Sequence, residues 1–156
     1  MDTSSSDVRE NLSMVISTFR RALINFPDSD GHNVVRLNGT ELHYTGKPEN
    51  MSDMTLFVHD PHTHHYSQHY ILKGNHGVKG GITRNLTSML EQNRVVLSSG
   101  DHSNDAIRYH KGLHGRLKDS VEFSKLNKVT NQVSKLDDIK DAYDGDSRTV
   151  IMMRKK

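Results

Sequence analysis

Apolar residues near the start of the chain recur every three to four positions, which is typical of an amphipathic α-helix. The series is Val8, Leu12, Val15, Phe19 and Leu23. Asp7 precedes the series with Glu10 three residues later, a capping-box pattern, and Pro27 ends it. The pattern predicts an N-terminal helix that starts at Asp7 and stops before Pro27.

Two pairs of strand-like segments follow. Residues 34–37 and 41–44 flank Asn38-Gly39, a dipeptide typical of two-residue hairpin turns. Residues 55–59 and 64–73 flank a second turn at Asp60-Pro61. These pairs predict two antiparallel β-hairpins that form a small sheet.

The second half of the chain predicts more helix than strand. A short central helix is expected from Thr83, followed by a strand over residues 94–97. A stripe with three- and four-residue steps predicts a long C-terminal amphipathic helix with Gly145 near its end, and residues 149–153 predict a possible final edge strand. The stripe consists of Leu126, Val129, Val133, Leu136 and Tyr143. The fold class expected is therefore α+β.

Length and composition limit the architecture further. A chain of 156 residues has the usual size of one domain, so we expect a single α+β domain over residues 1–156. Residues 1–6 are expected to be frayed, and residues 154–156 to form a basic tail. Only 33% of the residues are hydrophobic, which indicates a thin core or one shared with a partner subunit.

The absence of cysteine excludes disulfides, thiolate metal sites and cysteine nucleophiles. The sequence shows neither a signal-peptide pattern nor about 18 consecutive apolar residues, which favours a cytoplasmic protein without a membrane partner. The formal net charge is +2, with eleven histidines that gain charge in mild acid. The charge alone is too small to indicate nucleic-acid binding.

Histidines are concentrated in the second predicted hairpin. The five are His59, His62, His64, His65 and His69. Alternate residues of a strand share a face, so His62 and His64 are expected to point together. With His59 and His69 they form a candidate metal-ligand set, since neutral imidazole binds zinc, iron or nickel without thiolates.

The run from Pro61 through His62, His64 and His69 to Gly74 resembles, over about fourteen residues, the first metal motif of the cupin family. The resemblance implies a divalent metal held by these histidines. His69 stands near the position where the family usually carries a glutamate.

The same histidines suit two other interpretations. In an enzyme without metal, His62 or His64 would act as general base and His69 as general acid, because imidazole titrates near neutrality. In the third interpretation the histidines and tyrosines of the hairpin pack across strands and bind nothing.

A glycine-rich segment, residues 74–81, precedes the central helix and predicts an anion site. Backbone N–H groups at the start of a helix suit phosphate, and neighbouring cations and hydroxyls add to the attraction. The candidate anion-binding residues are Gly74, His76, Gly77, Lys79, Gly80, Thr83 and Arg84. The alternative is purely structural, with Gly80-Gly81 shaping a tight start of the helix and Gly77 in a left-handed turn.

A second cationic group lies downstream. It comprises Arg108, His110, Lys111, His114, Arg116 and Lys118. If the segment is helical, the four-residue spacing of His110, His114 and Lys118 places them on one face that can touch phosphates. A solvated surface is the alternative.

Together these features favour a phosphate-ligand protein that binds a nucleotide or nucleic acid and in one version cleaves a phosphodiester, as a hydrolase or lyase. The alternatives are a histidine-ligated metalloprotein and a non-enzymatic assembly or inhibitor protein. The last would form homo-oligomers through the predicted helix of residues 126–143.

Overall fold

The structure is a computed structural model that describes residues 5–100, 102–143 and 148–156. The chain divides into two compact units, an N-terminal unit of residues 3–88 and a C-terminal unit built mainly of residues 89–156. The single domain expected over residues 1–156 stays a prediction. No helix in the described ranges is long and apolar enough to cross a membrane.

The N-terminal unit contains a helix and four strands that pair in sequence order, each antiparallel to the next. Its elements are α1 (Ser5–Arg21), β1 (His32–Leu37), β2 (Thr40–Thr45), β3 (Ser52–His59) and β4 (Tyr66–Leu72), with a 3₁₀ turn at Pro48–Asn50. The second helix, α2 (Gly81–Glu91), begins in this unit and ends in the C-terminal unit.

Helix α1 forms where the apolar spacing predicts it, and its buried residues Leu12 and Phe19 join the core cluster of the N-terminal unit. It ends at Arg21, before the predicted stop at Pro27. Leu23 adopts a left-handed φ of 61°, and the N–H of Ile24 bonds back to the carbonyl of Phe19 at 3.1 Å. This closure satisfies the last carbonyls of the helix.

The first hairpin turns at Asn38 and Gly39, as the sequence predicts. Their φ values of 50° and 81° are the two positive angles that a type I′ turn needs. The turn fixes a register in which His32 of β1 lies opposite Thr45 of β2.

Alternation along β2 separates an apolar face from a polar one. Leu42 and Tyr44 belong to the core cluster that includes α1. Glu41, His43 and Thr45 alternate with them and therefore project from the opposite face, and all five side chains are buried. Buried polar groups of this kind need partners, which makes this face a candidate site.

The C-terminal unit contains the remaining elements. They are β5 (Val96–Leu97), α3 (Asn104–Leu117), β6 (Val121–Asn127), β7 (Val133–Lys135), a 3₁₀ turn at Ile139–Ala142 and β8 (Thr149–Lys155). The strand order is β5-β8-β6-β7, with antiparallel pairing throughout. The final strand, predicted as an edge strand, therefore lies between two neighbours.

The predicted fold class was wrong in its sheet content and in its last helix. The described residues form eight strands rather than two hairpins, and residues 126–143 form strand, turn and a 3₁₀ turn rather than a long amphipathic helix. Asn127 explains the break, because its side chain accepts the N–H groups of Val129 and Thr130 at 2.9 and 3.1 Å. Such a turn competes directly with helical hydrogen bonding. Gly145 lies outside the described residues.

The chain termini also differ from expectation. Residues 1–4 of the predicted frayed segment lie outside the described residues, and α1 already begins at Ser5. The expected basic tail is largely strand, since β8 includes Arg154 and Lys155. Arg154 forms an ion pair with Glu122 of β6 at 3.3 Å.

Candidate functional site

The glycine-rich segment, residues 74–81, forms with the preceding Lys73 a loop that is built around a buried carboxylate. We call residues 73–81 the glycine-rich loop. Asp53, near the start of β3, is fully buried and has a φ of 47°. Its side chain lies 2.8 Å from Nζ of Lys73 and accepts the N–H of Val78 at 2.9 Å. Nζ of Lys73 also donates to the carbonyl oxygen of Val78. The loop thus closes on an internal anion.

Further bonds hold the loop in place. The N–H of His76 donates to Oγ of Ser52 at 2.9 Å, and the N–H of Asp53 donates to the carbonyl of Lys73 at 2.7 Å. The N–H of Gly81 bonds to the carbonyl of Val78 at 3.1 Å. These three N–H groups, like that of Val78, point to protein acceptors. An external anion would therefore meet mainly the side chains of the loop.

The glycines have separate roles. Gly77 and Gly81 pack against Asp53 so closely that a Cβ atom at either position would overlap its carboxylate. Gly74 and Gly80 adopt left-handed φ values of 76° and 75°. The left-handed conformation expected at Gly77 is therefore found instead at Gly74 and Gly80.

The charge state of Asp53 follows from its partners. Burial opposes ionisation, but hydrogen bonds from the Lys73 ammonium and the Val78 N–H outweigh it, so the pKa of the carboxyl lies below its usual value. The pair of Asp53 and Lys73 is close to neutral at pH 7. The amide of Asn85 in α2 donates to the carbonyl of Asp53 at 2.6 Å, which ties the helix to the same point.

The remaining predicted anion-binding side chains lie around the start of α2. His76 and Lys79 are exposed, and Thr83 is half-buried. Arg84 is also half-buried, and its NH2 group donates to Oγ1 of Thr45 at 2.7 Å. Its Nε is buried and has no hydrogen-bond partner among the residues that the structure describes.

A row of polar side chains, which we call the histidine row, crosses the polar face of β1 and β2. Nε2 of His32 lies 2.9 Å from Nδ1 of His43, and Nε2 of His43 lies 3.4 Å from Oε1 of Glu41. Nε of Arg36 completes the row 3.5 Å from Oε2 of Glu41. Aromatic packing supports it, because the His43 ring stacks on His32 and meets Phe57 edge-on.

His32 is the more accessible end of this row. His43 and Glu41 are buried, whereas His32 is partly exposed. Burial, together with His43 and Arg84, lowers the pKa of His32 from 6.5 to about 4. His32 is therefore a neutral imidazole at pH 7, with Arg84 beside it.

The turn histidines are arranged differently from the expectation that they form one ligand set. His62 and His64 lie exposed in the turn of the second hairpin, where the Asp60 carboxylate accepts the His62 N–H at 2.8 Å. His59 packs near His64, with ring centroids 5.8 Å apart. His69 lies farther along β4 against Tyr70.

Metal binding by these histidines has no geometric support. In the described parts of the chain, no group of three or more histidine, aspartate or glutamate side chains is placed to hold a metal ion. The candidate ligands His59, His62, His64 and His69 are included in that statement. The metal interpretation stays a prediction from the sequence.

The second cationic group lies on α3, with Lys118 as the residue after its end, so the helical alternative left open by the sequence is the one found. Its proposed phosphate face is incomplete, because His110 is buried and its Nδ1 lies 2.6 Å from the hydroxyl of Tyr143. His114 packs edge-on against Phe123. Lys118 remains exposed at the end of the helix.

Sequence reasoning overlooked the histidine row, although a signal for it was present. Glu41, His43 and Thr45 alternate along one predicted strand, which places them on one face. The Asn38-Gly39 turn fixes which residues of β1 lie opposite, and so brings His32 next to this face. The high density of histidines in the second hairpin instead directed the prediction to that hairpin.

No family model, no curated protein and no solved structure matches the chain. The cupin resemblance of residues 61–74 therefore remains a local one, and the site must be interpreted from its own geometry.

Proposed function

We propose that the N-terminal unit binds the phosphate group of a nucleotide or nucleic acid, with Arg84 as the anchor. The observation that carries the proposal is the buried Nε of Arg84, which has no hydrogen-bond partner among the described residues. A buried donor without a partner costs about 1–3 kcal/mol. Nε has almost no accessible surface, so a ligand oxygen would reach this N–H through a shift of the half-buried side chain, and accepting it would then remove that cost.

The balance of charge around Arg84 favours an anion. Asp53 is paired with Lys73, and Glu41 is paired with Arg36. The positive charge of Arg84 therefore has no direct carboxylate partner among the described residues, and it is linked to Asp53 only through the Thr45 hydroxyl. The Thr45 hydroxyl accepts a hydrogen bond from NH2 of Arg84 and so orients Nε of the guanidinium. This geometry suits a phosphate or other oxyanion.

Exposed groups near the start of α2 supplement the anchor. Lys79 and the ring of His76 face solvent, and the Lys79 ammonium attracts phosphate at longer range. The backbone N–H groups of the loop contribute less than the sequence suggested, because several of them bond to Asp53, Ser52 or Val78.

Neither alternative has comparable support. A metalloprotein would need three ligands together, and the described residues provide no such group. Self-assembly through a helix of residues 126–143 loses its basis, because that helix is absent. Among the sequence candidates for acid–base chemistry, His62 and His64 lie in an exposed turn without a buried carboxylate behind them.

Calorimetric titration at low salt tests the proposal with three probes: inorganic phosphate, adenosine monophosphate and a short single-stranded oligonucleotide. We expect Arg84→Gln to weaken binding of every probe that wild type binds by about tenfold, or 1.4 kcal/mol. Arg108→Gln is the matched control, since Arg108 is 82% exposed on α3 of the other unit. Equal affinities of the Arg84 variant and wild type, or no binding by wild type, would refute the proposal.

The same titration distinguishes the sources of phosphate. Affinity for an oligonucleotide should fall with salt, with a slope that reports the number of phosphates contacted, and Lys79→Ala should reduce that slope. A single nucleotide should show a shallower dependence on salt. Tight binding of the nucleotide with weak binding of the oligonucleotide would identify the protein as a nucleotide binder.

A further inference from the structure

We propose that His32 is the general base of a phosphodiester hydrolysis at Arg84, with His43 and Glu41 as positioning residues that relay the proton. This inference rests on the phosphate function proposed above and adds a reaction to it. It replaces the sequence-based assignment of His62, His64 and His69 as the acid–base groups.

The proposal assigns a tautomer to each ring from the hydrogen bonds of the histidine row. The Glu41 carboxylate is an acceptor, so Nε2 of His43, 3.4 Å away, carries a proton. Nδ1 of neutral His43 is then an acceptor, and Nε2 of His32 donates to it at 2.9 Å. This order leaves Nδ1 of His32 with a lone pair, which is the group that a general base needs.

The register of the first hairpin brings this base to the phosphate anchor. His32 and Thr45 are directly opposite in the pairing of β1 and β2. Arg84 donates to the hydroxyl of Thr45 at 2.7 Å, so its guanidinium lies beside His32. A phosphate on Nε of Arg84 would thus lie next to the imidazole.

The relay solves an electrostatic problem at this place. A cationic His32 would face Arg84 from α2, and it would have His43 from β2 on its other side. When Nδ1 of His32 takes a proton, its Nε2 proton can pass to His43. The positive charge then rests on His43 beside the Glu41 carboxylate, which Arg36 also contacts. A carboxylate behind a histidine stabilises the imidazolium in this way.

The reaction balances with water as the only co-reactant. A water molecule gives one proton to Nδ1 of His32 while its oxygen forms a bond to phosphorus. The bond between phosphorus and the leaving alcohol breaks, and that alcohol oxygen takes the proton from Nδ1 while the relayed proton returns from His43 to Nε2 of His32. The products are a phosphomonoester and an alcohol, and no group is oxidised or reduced. Arg84 stabilises the charge on the non-bridging oxygens during the transfer.

The tautomers can be measured without any substrate or variant. Long-range proton–nitrogen correlation spectra of the full chain at pH 7 should show both His32 and His43 as neutral rings protonated at Nε2. A spectrum that places the proton of His43 on Nδ1 would overturn the relay. This measurement stays decisive even if a variant of the row fails to fold.

Activity is tested with bis(4-nitrophenyl) phosphate as the probe. His32→Gln should lose at least about a hundredfold in kcat, while its affinity for inorganic phosphate stays within about twofold of wild type. Glu41→Gln should lower kcat without raising KM. It should also move the acid limb of the pH profile to lower pH, because the histidine pair loses the negative charge that favours its protonation. If Glu41 had a purely structural role, the acid limb of the pH profile would stay at the same pH in Glu41→Gln.

The outcomes separate the two proposals. Wild type that binds phosphate but does not hydrolyse the probe overturns the relay and leaves the binding function standing. Wild type that does not bind phosphate overturns both. Loss of activity in His62→Gln, with activity retained in His32→Gln, would return the acid–base role to the turn of the second hairpin.

Discussion

The backbone N–H of Val78 donates to the carboxylate of Asp53 at 2.9 Å, although 25 residues separate them in the chain. This bond joins the glycine-rich loop to the start of β3. It also explains why the loop looks like a phosphate cradle in the sequence: it does surround an anion, but that anion is a side chain of the protein itself. In the proposed function, the external phosphate is therefore bound by Arg84 and the exposed cations.

Replacing Asp53 with asparagine should destabilise the N-terminal unit. The change removes the ion pair with Lys73 and weakens the bond from Val78, and hydrogen bonds to charged groups contribute about 1.5–3 kcal/mol. We expect a loss of about 2 kcal/mol in the free energy of unfolding at pH 7, measured by urea denaturation. Asp60→Asn is the control, because Asp60 accepts similar backbone bonds in an exposed turn. Equal effects of the two variants would contradict the central role of Asp53.

Two adjacent glycines provide a matched pair of variants. Gly81→Ala places a Cβ atom into the carboxylate of Asp53, so we expect it to displace the loop and cost several kcal/mol. Gly80→Ala meets no atom within 4 Å and pays only for its left-handed φ of 75°, about 1 kcal/mol. Melting temperatures measure both. A larger loss at Gly80 than at Gly81 would show that the loop does not pack on Asp53.

Local patterns predicted the elements whose stability is decided locally. The period of apolar residues places α1, and the Asn38-Gly39 pair places the first hairpin together with its register. In both cases, residues close together in the sequence supply the hydrogen bonds and the buried face. The two ends of α1 still depend on details such as the left-handed Leu23 that periodicity does not reveal.

The stripe over residues 126–143 misled because its residues are buried by different elements. Leu126 and Leu136 are buried in separate segments, whereas Val129 and Val133 are exposed, at 64% and 49%. The spacing of apolar residues shows that they would share one face of a helix. It does not show whether a single helix forms and buries all of them. Asn127 was the feature of the sequence that argued against a continuous helix, because asparagine side chains readily form hydrogen bonds with nearby backbone groups.

The correction of this segment makes a direct prediction. Val133→Asp should change stability by less than about 0.5 kcal/mol, since the side chain lies exposed on the edge strand β7. Leu136→Ala should cost about 2–4 kcal/mol, because Leu136 is only 5% exposed. Chemical denaturation of both variants checks this contrast. A large loss in the free energy of unfolding of Val133→Asp would instead support a buried helical stripe.

The sequence alone does not reveal the histidine row, for a related reason. A high density of histidines shows only where imidazoles occur in the sequence. Acid–base chemistry depends instead on which imidazole contacts a carboxylate on one side and a cation on the other. His43 meets Glu41 through alternation on one strand, and it meets His32 across a hairpin. The contribution of Arg84 comes from a helix 39 residues beyond Thr45, and no local pattern reveals that contact.

The pH dependence of stability tests the environment of His32. Above about pH 6.5 this histidine is neutral in both the folded and the unfolded chain. As the pH falls from 6.5 to about 4, the unfolded chain binds a proton that the folded one does not, because burial, His43 and Arg84 lower the folded pKa to about 4. The stabilisation is therefore fully present above pH 6.5, falls between pH 6.5 and 4, and levels off below. The loss should be on the order of 1–2 kcal/mol, less than the full shift implies, because solvent screens the partly exposed ring.

His32→Gln should remove this dependence, so the stability difference between wild type and variant should be larger at pH 7.5 than at pH 4.5. The comparison subtracts the titration of other groups, which both proteins share. Urea denaturation at pH 7.5, 6.0 and 4.5 measures both proteins. Parallel curves for wild type and His32→Gln would mean that His32 titrates as it does in an unfolded chain, and the neutral imidazole that the relay requires would then lose its support.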